Sequence, residues 1–334
     1  MKKTSGRILS LLMLPGIIAA FSSCDTETTT KPSSTGQSSE IVVVSENNLW
    51  KSSAGDTIRD FFDGPFPGMP QPEPLYKLIQ VKVDGFGKLL QNHRNIFIIA
   101  IDSSLTAPKI EIRRNVWAKP QRVVKISSHT IEGIKELFIE RREEILNLFD
   151  NAEIEKIQEL YRKNFNLDAI KAIRNKFGLD LNVPKDYYLA VDTNNFIWLR
   201  RETNVMSQGI LIYTYPYTDT LAFNANKIRS IRNQFTQLYV PGPGEGSFMI
   251  IAEDVMPPAA RTITLKDMRS TEMRGLWEVR KDFMGGPFLN YTFVDTKNNM
   301  VIGLDGYVYA PNQSKRNYLK QVQAVLLSFK FLEN

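Results

Sequence analysis

The chain of 334 residues has one cysteine, Cys24, and two histidines, His93 and His129. A single cysteine excludes an internal disulfide framework and a cysteine-rich zinc ribbon. The two histidines stand thirty-six residues apart, outside any HExxH spacing, so a zinc site would need carboxylates gathered from elsewhere. There is no calcium loop of the D-x-[DN]-x-[DN]-G kind and no GxSxG elbow. A Ser-His-Asp triad would have to use His93 or His129, and both read as surface or capping residues. The glycine run "PGPGEGS" (241–247) lacks the Lys-Ser/Thr that reaches phosphates and follows a helix, so it reads as a turn. Glu143-Glu144 and Glu153 with Glu155 lie on Arg- and Lys-rich helical stretches and read as solvated faces. No catalytic residue, metal or cofactor is expected, and the alternative to a binding protein is a hydrolase with a dispersed acid/His site.

A long apolar run is also missing. Ile8 to Phe21 is apolar apart from Ser10, Pro15 and Gly16; as a helix it rises about 21 Å, short of the ~30 Å hydrocarbon core. Preceded by Lys2, Lys3 and Arg7 without an acid, it has the form of a secretory signal. Phe21-Ser22-Ser23-Cys24 resembles the lipobox at which lipoprotein signal peptides are cut, although Phe21 stands where leucine is usual. Residues 1–23 are therefore expected to be removed and Cys24 to carry lipid, palmitate included. Diacylation satisfies the two-signal requirement for a stable anchor. Asp25 to Glu40, without an aliphatic or aromatic residue, reads as a flexible tether reaching roughly 20–25 Å. The expected location is the cell envelope, lipid-anchored at the outer membrane, with the leaflet open. Removing Lys2, Lys3 and Arg7 lowers the net charge from +6 to +3. With no basic stripe on a recognisable module, no nucleic-acid partner is expected.

Beyond the tether, strands and helices mix without regular alternation, which predicts an α+β fold. In 41–150, "IVVVSE", "NIFIIAID", "KIEIRRNVWAK" and "QRVVKISS" read as strands, with Thr130 capping a helix whose face carries Ile131, Ile134, Phe138, Ile145 and Leu148. In 185–334, "YYLAVDTNNFIWLRRE", "GILIYTYPY", "FMIIAED", "GLWEVRKDF" and "LNYTFVDTKNNMVIGLDGYVYAP" read as strands, with helices over 221–239 and 315–329. The similar order suggests two related subdomains, each a mostly antiparallel sheet with helices packed on it. Residues 151–184 read as a long amphipathic connecting helix, interrupted near Asn166 and stopped at Gly178.

What chemistry the chain offers lies in glycines beside aromatics. Arg274, Trp277, Gly285, Gly286, Phe288, Tyr307 and Tyr309 fall on segments read as neighbouring strands and form the candidate binding patch. The same residues also suit bulges and core aromatics of a twisted sheet. "MPQPEPLY", "RNIFI", "NVWAKPQ", "RGLW", "GGPF" and "GYVYAPNQSKR" together resemble the uncharacterised bacterial lipoprotein family of the domain of unknown function 4837, over nearly the whole mature chain. The resemblance implies export and lipidation but no activity, cofactor or catalytic residue. The function expected is thus a membrane-anchored envelope lipoprotein that binds or assembles with an envelope protein, peptidoglycan or a glycan.

Overall fold

The computed structural model describes residues 31–332. The expected signal, Cys24 and the first part of the tether lie outside them. Residues 31 onward form one compact unit.

The first sheet is built on Glu40–Val44 (β1), whose five residues are all buried, as suits a β-branched strand covered on both faces. The chain then forms helices Asn47–Trp50 (α1) and Ser53–Phe62 (α2), strand Lys77–Val81 (β2), helix Lys88–Gln91 (α3), and strands Asn95–Ile101 (β3), Lys109–Arg114 (β4) and Arg122–Ser128 (β5). Their order is β2-β1-β3-β5-β4. This sheet corrects the expectation of mostly antiparallel pairing: β1 pairs β2 and β3 in parallel, β3 pairs β5 in parallel, and only β4 runs against its neighbour. The helices α1 and α2 carry the chain back between β1 and β2, and β4 returns along the outer edge so that β5 fits beside β3. One face, with Ile41, Val43, Phe97, Ile99, Val124 and Ile126, packs on α2 and on the next helix.

That helix, Ile131–Tyr161 (α4), is capped by Thr130, whose Oγ1 accepts from the Gly133 amide at 3.1 Å. Ile134, Phe138, Ile145 and Phe149 are its buried stripe, while Ile131 is exposed. It passes Asn151 unbroken, so the start expected for a separate connecting helix falls mid-helix. The interruption near Asn166 is real. Asn166 caps Leu167–Phe177 (α5) by accepting from the Ala169 amide at 3.0 Å, and Gly178, at φ 62°, ends it.

Then follow strands Leu179–Asp180 (β6), Tyr188–Asp192 (β7), Phe196–Glu202 (β8) and Ser207–Pro216 (β9), a 3-10 turn at Thr220–Phe223 and helix Ala225–Tyr239 (α6). Phe248–Ile251 (β10), Ala259–Leu265 (β11), Met268–Arg280 (β12), Gly285–Asp295 (β13) and Met300–Tyr309 (β14) come next. Arg316–Leu326 (α7) and Lys330–Phe331 (β15) close the described chain. The second sheet is antiparallel throughout, in the order β10-β12-β13-β14-β9-β8-β7, with β11 sharing the β12 edge. Ile197, Ile210, Leu289, Tyr291 and Leu304 face α5 and α7; Trp198, Leu211, Tyr213, Trp277 and Phe288 face α6. The α+β class stands. The two sheets share neither strand direction nor connectivity, so the similar order of elements does not mark a repeat.

Residues 31–40 of the expected tether are folded. Residues 31–39 lie as a strap across the N-terminal edge of the first sheet. The Ser34 amide donates to the Lys119 carbonyl (3.0 Å), the Thr35 amide to Asn92 O (2.8 Å), and the Arg94 amide to Thr35 O (3.1 Å). Ser34, Ser39 and Glu40 are buried. Backbone pairing substitutes for the apolar side chains that the strap lacks.

Candidate functional site

Four connections gather at one end of the second sheet: 203–206 between β8 and β9, 240–247 before β10, 281–284 between β12 and β13, and 310–315 after β14. They surround a cavity of about 590 Å³. Its floor is Trp198 on β8, Trp277 on β12, and Tyr307 and Tyr309 on β14; Val240, Pro241, Met249, Val279 and Met284 form apolar walls. Polar groups come from one side, Arg200, Glu202, Thr203, Asn204 and Ser207. Trp198, Arg200 and Glu202 share a face because side chains alternate along a strand.

The floor is fixed from within. Trp198 Nε1 donates to Tyr307 Oη at 3.1 Å, and Trp277 Nε1 to the Val308 carbonyl at 3.2 Å. The Trp277 and Tyr307 rings meet edge to face with centroids 5.1 Å apart. Two glycines make room for them. A Cβ on Gly209 would stand 2.0 Å from the Tyr307 ring, and one on Gly286 would stand 2.1 Å from Val308 O beneath the Trp277 indole. Arg200 stacks on Trp198 at 4.8 Å and pairs with Glu202, which also accepts from Tyr188 Oη at 3.2 Å. Burial pushes the Tyr307 hydroxyl pKa up, leaving it neutral. Both indole donors are therefore used inside the protein, and the rings line the cavity with carbon.

Of the seven residues singled out by sequence, Trp277, Tyr307 and Tyr309 line this cavity. Gly286 lies under the indole, and Phe288, fully buried on the same face, is sealed beneath the Arg232 guanidinium at 4.0 Å. Gly285 and Arg274 belong to the opposite pleat. Three residues along a strand reverse the side, so Arg274 does not stand beside Trp277. It instead bonds Glu272 (Nε to Oε1, 3.1 Å) and lies over Phe66 at 5.5 Å. Burial would raise the Glu272 pKa, but Arg274 and Arg261 bring it down to about 2. Sequence reasoning missed Trp198, Arg200 and Glu202, although their period-two spacing in "FIWLRRE" carried the signal.

The histidines do not share a site. His93 precedes β3 at the strap edge and His129 follows β5 at the opposite edge; seven-residue strands separate these edges by roughly 20 Å. His129 is exposed, but His93 is not the surface residue expected: it is 5% exposed, covered by Gly36, with Nε2 3.6 Å from Glu40. Burial lowers its pKa despite that carboxylate. Among the described residues, no three His, Cys, Asp or Glu side chains are grouped to hold a metal, and no helix is long and apolar enough to cross a membrane.

No curated protein matches the chain. Two solved structures, a point mutant of protein Mog1 and the Saccharomyces cerevisiae Ran-binding protein Mog1p, align over 47% of this chain and 92% and 91% of theirs. Each shares 8% identity at a TM-score of 0.30, too low to carry an argument. Residues 34–162 match a domain of unknown function, DUF8532, which takes in "MPQPEPLY", "RNIFI" and "NVWAKPQ". Residues 166–328 match the family described as Domain of unknown function (DUF4837), which takes in "RGLW", "GGPF" and "GYVYAPNQSKR". The resemblance that the six motifs suggested over nearly the whole mature chain is thus divided between two families. The half of the chain that carries the antiparallel sheet and the aromatic cavity belongs to the domain of unknown function 4837.

Proposed function

We propose that this protein is a lipid-anchored cell-envelope lipoprotein that acts by binding, its cavity taking a sugar ring of peptidoglycan or another envelope glycan. The observation that carries this reading is the preformed aromatic floor with its polar groups on one side. A pyranose has the matching form, with C–H groups on its face and hydroxyls around its edge. Aromatic carbon suits the former, and Arg200, Glu202 and Asn204 suit the latter. A floor held by internal hydrogen bonds binds without ordering itself first, which lowers the entropic cost of association.

Titration of the protein with peptidoglycan fragments, followed by tryptophan fluorescence, tests the reading because two of the four tryptophans line the cavity. Saturable quenching is expected, weakened tenfold or more, about 1.4 kcal/mol, by Tyr309→Ala or Arg200→Ala at unchanged folding. Absence of a response to glycan fragments, or equal affinity in both variants, overturns it. A peptide ligand lost in the same variants would replace the sugar by a protein segment.

A further inference from the structure

We propose that the strap edge of the first sheet is the surface this protein turns to the membrane, where it docks on anionic lipid headgroups. The proposal rests on the reading of Cys24 as lipidated. The described residues begin at Lys31, and seven Cα steps separate it from Cys24. Fully extended, they span at most about 25 Å. A body tied that closely, at one edge, offers that edge to the bilayer.

The chemistry of the edge suits such a neighbour. Lys31, Arg114, Lys119 and Lys163 are exposed there, and Lys156 is half-buried beside the strap. Their placement follows from contacts already described. Lys31 Nζ reaches Asn115 O, next to Arg114; Lys119 pairs with the strap backbone; Lys156 Nζ donates to Ser34 O at 3.0 Å. Burial lowers the Lys156 pKa, and the positive charges of Arg94 and Lys163 nearby add to this. Two nearby acids are Glu155, already paired with Arg122, and Glu159. Leu89 on α3 stands 82% exposed, three residues before Asn92, the strap's hydrogen-bond acceptor. Cations beside a protruding apolar side chain match an anionic interface, where basic residues near the surface add favourable energy and an apolar tip enters the headgroup layer.

The single native cysteine makes the test direct. With Cys24 acylated, a cysteine introduced by Leu89→Cys or His129→Cys is the sole labelling site. The α4 helix sets the two positions apart, since Ile131 and Lys156 are separated by roughly 40 Å of helix rise. The lipidated protein is placed in phosphatidylglycerol–phosphatidylethanolamine vesicles containing a headgroup quencher. The Leu89 label should be quenched several-fold more than the His129 label. Lys31→Glu, Arg114→Glu and Lys119→Glu together, or high salt, should erase the difference. Equal quenching, or stronger quenching at His129, overturns the proposal. Vesicle flotation and intact mass on the same sample separate the two readings: protein without an acyl group that does not float defeats the anchor and this surface with it. Acylated, floating protein with equal quenching defeats the surface alone.

Discussion

At the scale of single residues, Trp277 shows how a core position and a site position coincide. It is 2% exposed, with its indole N–H used by Val308 and its ring among those that line the cavity. Trp277→Ala should therefore cost about 3–5 kcal/mol of stability, read as an early thermal or denaturant transition. A loss under about 1 kcal/mol would show that the indole does not support the sheet. His93 makes a second prediction, with its sign set by burial. Its imidazole faces Glu40 and Arg94 under the strap, and its folded pKa lies below the unfolded value. Between those two values the unfolded chain binds more protons, so stability falls as pH drops below about 6.5. Denaturant midpoints should decline from neutral pH to pH ~5 in the wild type and decline less in His93→Asn. Equal declines would remove His93 as the cause.

At the scale of elements, α6 is held to its sheet by a buried ion pair. Arg232 and Asp305 are both fully buried, with Nε to Oδ2 at 2.8 Å and Nη2 to Oδ1 at 3.2 Å; Asn290 completes the carboxylate's partners at 3.1 Å. Burial pushes the Asp305 pKa up against the pull of Arg232 and Asn290. Removing one partner leaves the other charge uncompensated, so Asp305→Asn should cost about 3–5 kcal/mol, while Arg232→Met with Asp305→Leu should recover much of it. Hydrogen exchange should show α6 losing protection before α7, on the other face. Uniform loss along the chain would contradict this picture of a local clamp. These elements were only partly legible in the sequence. Strand and helix positions were readable because period and caps are local properties: Thr130, Asn166 and Gly178 each end or begin a helix where their chemistry places them. Strand direction in the first sheet was not, because β1 to β5 lack the helix after every strand that usually betrays parallel pairing. The cavity was half legible. Trp277, Tyr307 and Tyr309 drew notice beside glycines, whereas Arg200 and Glu202 came from a strand that only the fold brings across to them. His93 and the strap were misread for one reason: burial by backbone pairing leaves no hydrophobic pattern.

At the scale of the whole molecule, two family matches meet within one compact unit. Phe66 and Met69, from the first half, belong to the core cluster of the second. The Glu73 carboxylate accepts from the Arg316 amide at 3.0 Å, at the N-terminus of α7, where a negative charge offsets unpaired amides. Lys320 of α7, 2% exposed at its side chain, bonds Asp150 of α4 at 2.9 Å and lies over Tyr76 at 4.2 Å. Gln158 of α4 donates to Ala324 O at 2.9 Å. Separating the halves would expose the apolar face under Phe66 and leave the α7 terminus uncapped, so neither half should keep a fixed core alone. Residues 31–334 are expected to unfold in one calorimetric transition whose van't Hoff and calorimetric enthalpies agree. The fragments 31–162 and 163–334 are expected to give broad, weakly cooperative melting or to precipitate. Two resolved transitions in the intact chain, or a sharp transition in either fragment, would mean that the halves are independent domains and that their shared contacts were acquired after each could already fold.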